Sequence, residues 1–74
     1  MAPERVLNAL EKIATLVKKQ LFVALEKTHQ GWIVTVIIGV VRVRASLETF
    51  LRSPMIVINA VEDEIIKAAN DGLL

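Results

Sequence analysis

The chain has no cysteine among its 74 residues. That excludes a disulfide framework, a thiolate metal site and a thiol nucleophile. It has one histidine, His29, two residues before Gly31 and so at a turn, where an imidazole is ordinarily solvated rather than acting as base or ligand. Three glycines are too few and too scattered for a phosphate-cradling loop. Ser46, Ser53 and the threonines have no partner base in the pattern. The aromatics are only Phe22, Trp32 and Phe50, so there is no stacking platform of the kind that reads single-stranded nucleic acid. The longest apolar run is shorter than the roughly 20 residues a spanning helix needs. The start MAPERVLNALEK does not read as a signal peptide, because no basic region precedes an apolar one. These absences point away from an enzyme, and no cofactor or metal is expected.

What the chain does have is aliphatic bulk. Hydrophobic residues make up 54% of it, including ten Val, nine Leu and eight Ile. A domain of this size buries only about 60% of the surface its unfolded chain exposes. The surplus calls for other subunits or lipid to cover it. Only five Asn and Gln, with abundant Ile and Val, fit a heat-adapted protein. The net charge of +1 is unevenly spread. Residues 1–30 carry +2, residues 31–53 carry +2, and residues 54–74 carry −3.

The periodicity predicts an all-α fold. Pro3 suits a first helical position. Val6, Leu10, Ile13, Val17, Leu21, Ala24 and Thr28 recur at spacings of three and four, which predicts one helix over 3–29. Phe22 stands out on the polar side of that helix, among Lys18, Lys19 and Glu26. A turn at residues 30–31, with Gly31 in a left-handed conformation, folds the next segment back antiparallel. In GWIVTVIIGVVRVR the apolar residues do not alternate, since Val36, Ile37 and Ile38 are consecutive. Thr35, Gly39, Arg42, Ser46, Thr49 and Ser53 fall three or four apart, which predicts helix over 32–52, with Arg44–Glu48 and Glu48–Arg52 as i,i+4 pairs. The alternative is a β-hairpin through Gly39, because the β-branched run is a poor helix former. Ser53-Pro54 marks a kink or a new start, and helix is predicted over 54–71 up to Gly72.

Folding the two arms together gives a single helical-hairpin domain over 1–74. Its apolar section carries the subunit-interface candidates Phe22, Val23, Trp32, Val34 and Ile38. Lys18, Lys19, Arg42 and Arg44 form a basic belt, the candidate contacts to nucleic-acid phosphates, which would be non-specific and salt-sensitive. Glu62, Asp63 and Glu64 make an acidic end, read as a solvated or salt-bridged face rather than a cation site. Such polarity suits a many-copy homo-oligomer, assembled into a helical or tubular array. A membrane association, with Trp32 at the interface and the arginines snorkelling, is the less favoured partner. A small dimeric nucleic-acid-binding regulator is a third class.

In its two helical arms, Gln30-Gly31 turn and apolar surplus, the chain resembles the small, cysteine-free helical coat proteins of rod-shaped and bacilliform viruses, especially those of hyperthermophilic archaea. The resemblance implies a capsid subunit, located in the virion, that encloses nucleic acid. ASLETFL, residues 45–51, is similar to a segment near the second helix of gas-vesicle shell proteins. In that family an apolar β-hairpin precedes the segment. This second resemblance implies a self-assembling shell subunit; a pilus-like shell, and a membrane-associated or cell-surface location, are the alternatives to the virion.

Overall fold

The computed structural model describes residues 3–74. It is not all-α. The order is α1 (Pro3–Leu16), β1 (Leu21–Thr28), β2 (Gly31–Ile38), β3 (Val41–Ser46), α2 (Leu47–Arg52) and α3 (Pro54–Asn70). The strands form one antiparallel sheet in the order β1-β2-β3. The three helices lie on one face of it.

The predicted helix over 3–29 stops at Leu16, and its second half is β1. Lys18 makes the stop, with φ of 57°. Around it Lys18 N donates to Thr15 O at 3.1 Å and Lys19 N donates to Ala14 O at 3.0 Å. That pair of bonds is a Schellman closure, usually built on glycine because a side chain disfavours the left-handed conformation. The end of α3 uses the same pair: Gly72 N donates to Ala69 O and Leu73 N to Ala68 O, with Gly72 at φ 70°. A lysine stop carries no glycine to announce it, so the apolar period appeared to run on into β1.

The predicted helix over 32–52 is β2, β3 and α2, and the hairpin through Gly39 is what forms. Gly39 has φ of 61° at the first position of a two-residue turn closed by Ile38 and Val41. A turn of that hand matches the twist of the strands. A Cβ there would also lie 3.1 Å from the Lys19 side chain. The lack of alternation in Val36-Ile37-Ile38 reflects position. β2 is the middle strand and is screened on both faces, so apolar residues suit both. The first hairpin turns at His29-Gln30, pairing Thr28 with Gly31. Thr28 Oγ1 donates to Gly31 O at 2.9 Å and accepts from Gln30 N at 3.2 Å.

The register sets the core. Leu25, Val34 and Ala45 share a row, as do Val23, Val36 and Val43, and Leu21, Ile38 and Val41. These rows face the helices. Val34, Val36, Ile38 and Val41 are buried there against Val6, Leu10 and Ala14 of α1, Phe50 of α2, and Val57, Ile58, Val61, Ile65 and Ala68 of α3. Ser46 caps α2, its Oγ accepting from Thr49 N at 3.0 Å. Pro54 occupies the first turn of α3. The Arg52–Glu48 pair forms at 3.3 Å, whereas Arg44 lies in a strand and does not reach Glu48.

Lys18→Gly should raise the unfolding free energy by roughly 1 kcal/mol, because the left-handed conformation no longer opposes a side chain. Urea denaturation of the two proteins at equal concentration checks this. A loss of stability would show that the lysine stem contributes more packing than its backbone costs.

Candidate functional site

β1 differs from its neighbours in being uncovered on both faces. The helices lie over β2 and β3, while α1 reaches β1 only slightly. Leu21 is half-buried beneath α1, but beyond it the helix-side residues emerge: Val23 is 42% and Leu25 55% exposed. On the opposite face Phe22 is 54% exposed. The outer edge is open too. An antiparallel ladder engages the backbone groups of alternate residues on each side. β1 has β2 on one side only, so every second residue points its N–H and C=O outward, and none of these finds a backbone partner among the described residues. An apolar strand with a free edge is a template for another strand.

β3, the other edge strand, is different. Its helix side is packed under α3, and its open side carries Arg42 and Arg44. Charged side chains on an edge strand discourage pairing between copies. Arg44 Nη2 donates to Glu26 Oε1 at 3.1 Å, reaching over β2 to β1. Thr35, the one buried polar residue among the described residues, lies beneath this crossing in the row Ala24, Thr35, Arg44.

The structure sorts the interface candidates into two groups. Phe22, Val23 and Trp32 are on the surface, with Lys27 Nζ 5.7 Å from the centre of the Trp32 ring. Val34 and Ile38 are not available. They belong to the chain's own core, because β2 turns them toward the helices. Leu25 was missed. At helical spacing it fell in a section read as apolar nearly all round, and only the pleat of β1 shows it standing beside Val23.

The basic belt divides between the α1–β1 connection and β3. Lys18 and Lys19 sit in the connection between α1 and β1, and the Lys19 stem lies against the turn at Gly39. Arg42 opens into a groove that it shares with Glu64, Lys67 and Asp71. Arg44 is engaged by Glu26. Among the described residues no group of three or more histidines, cysteines, aspartates or glutamates could hold a metal, and no helix is long and apolar enough to cross a membrane. Compared with protein-family models, with curated proteins and with solved structures, the chain matches none.

The Arg44 and Glu26 side chains are 52% and 61% exposed, so their pair is a screened surface contact. Glu26→Gln should lower stability by no more than about 1 kcal/mol, measured by chemical denaturation of dilute protein. A loss well above that would mean that something else covers the pair.

Proposed function

We infer that the protein is a structural subunit that assembles with copies of itself. The observation that carries this is β1: an eight-residue strand, apolar from Leu21 to Leu25, exposed on both faces and unpaired along one edge. Fully covering a Leu, Val or Phe side chain is worth about 1.5–3 kcal/mol. Covering the exposed halves of Phe22, Val23 and Leu25 therefore stabilises an assembly by a few kcal/mol per subunit before any backbone bond is counted. A second apolar area lies on the helical side, where Leu16 is 82% and Ile66 59% exposed. Two separate apolar surfaces on one subunit allow contacts that continue from copy to copy rather than closing after one.

Among assemblies, the shell of gas-vesicle type has the better support. The residues that carry that likeness, Ala45 to Leu51, lie at the junction of β3 and α2, directly after the apolar hairpin of β2 and β3. That is the local order the likeness implies. The coat-protein likeness rested on a helical hairpin, which the sheet replaces, so it no longer supports a reading. Nucleic acid as a partner has weaker support than self-association. Arg44 is paired, Arg42 shares its groove with two carboxylates, and the two lysines that remain are a thin basis for holding a polyanion.

Light scattering and negative-stain electron microscopy of the purified protein at micromolar concentration test the reading. Particles much larger than a single chain are expected, with an absorbance ratio at 260 and 280 nm typical of protein alone. The double variant Phe22→Ser, Leu25→Lys should abolish or shrink them while leaving the circular dichroism of the subunit unchanged. A stable wild-type monomer at that concentration would overturn the proposal. Particles rich in nucleic acid would restore the polyanion as a partner.

A further inference from the structure

We propose that the occupant of the β1 edge is β1 of a second copy, antiparallel about a two-fold axis through Ala24, so that two three-stranded sheets become one of six. This rests on the reading of the protein as a self-assembling subunit and specifies its first contact. The strand chemistry restricts the options. A two-fold axis normal to the sheet places residues of like parity opposite one another on the same face. With the axis at Ala24, residues 21–27 of one copy run against 27–21 of the other. Val23 then stands opposite Leu25 of the second copy, twice over, and the four half-exposed aliphatic side chains on the helix side cover each other. On the open side Ala24 meets Ala24, small enough to leave room for Phe22 beside it. Moving the axis to Val23 would set Lys27 directly against Lys19, and like charges directly opposed destabilise a strand pair. Moving it to Leu25 would leave Leu21 beyond the ladder and set Val23 against Lys27, whereas the axis at Ala24 sets Lys27 only against Leu21 at the end of the ladder. The β3 edge does not compete as a self-pairing site, because two copies would bring Arg42 and Arg44 against their own kind.

The backbone adds a geometric signature. The first hairpin closes on Thr28 and Gly31 through a two-residue turn, so the residues of β1 that bond to β2 are the even-numbered ones. The outward groups then belong to Leu21, Val23, Leu25 and Lys27, and the Ala24–Ala24 pair lies between hydrogen-bonded pairs, where opposite side chains approach most closely.

The absence of native cysteine makes the test clean. Ala24→Cys, Val23→Cys and, as a distant control, Asn70→Cys are each oxidised at micromolar concentration, and disulfide-linked dimer is followed on a non-reducing gel. Ala24→Cys should cross-link about tenfold faster than either of the others, since only its Cβ atoms stand within disulfide range across the axis. Adding Leu25→Lys to Ala24→Cys should abolish that advantage. Fastest cross-linking by Val23→Cys would overturn the proposed register. Uniformly slow cross-linking of proteins that light scattering shows to be assembled would overturn β1 pairing while leaving self-assembly standing. Uniformly slow cross-linking of monomers would overturn both.

Discussion

Where β2 pairs with β3, Val36 is set against Val43 and Ile38 against Val41, and the packing of the helices follows from those rows. With β2 in this register, Val34, Val36 and Ile38 all point to one side. A slip of one residue would turn them to the opposite face and leave Phe50, Val57 and Val61 with nothing to pack on. The two-residue turn at Gly39-Val40 fixes the register, because Gly39 adopts a φ that another residue takes only with strain. The same middle strand meets β1 on its other side. The core is therefore complete over β2 and β3 and runs out at β1, where the helices end their coverage.

This explains why the molecule is asymmetric. Both edge strands have a free side, yet they present different chemistry. β3 has helices behind it and arginines in front, which keep its edge from joining others. β1 has neither protection, apart from Glu26 and Lys27 near its end. A small chain with more aliphatic residues than it can enclose must leave some of them outside. Here Phe22, Val23 and Leu25 stand together on β1, while others, such as Val40, Ile56 and Leu73, are spread over the turns and helices.

Some of the fold is legible in the residues and some is not. Pro54 and Gly31 each rest on a single residue's backbone geometry, so a break at those places can be read without knowing what flanks it. The strands were obscured for two reasons. A central strand with both faces screened does not alternate, and Thr35, Arg42 and Ser46, which share the open face of the sheet, happen to be spaced as they would be along one side of a helix. β1 was hidden by the lysine that ends α1, since a left-handed lysine is chosen by what the following segment can pair with and not by its own preference. Phe22 signalled its exposure by breaking the helical pattern. Leu25 gave no such signal, because its exposure depends on where α1 lies.

The two tight hairpins also set an order of events. Their strands are joined by two-residue loops, so closing them costs little chain entropy, and they can zip while the C-terminal helix is still being made. The docking of α1 on α3 joins segments nearly forty residues apart or more and closes a far longer loop than either hairpin turn. The hairpin contacts are therefore local, and the helical layer that covers the sheet is held by the most distant ones.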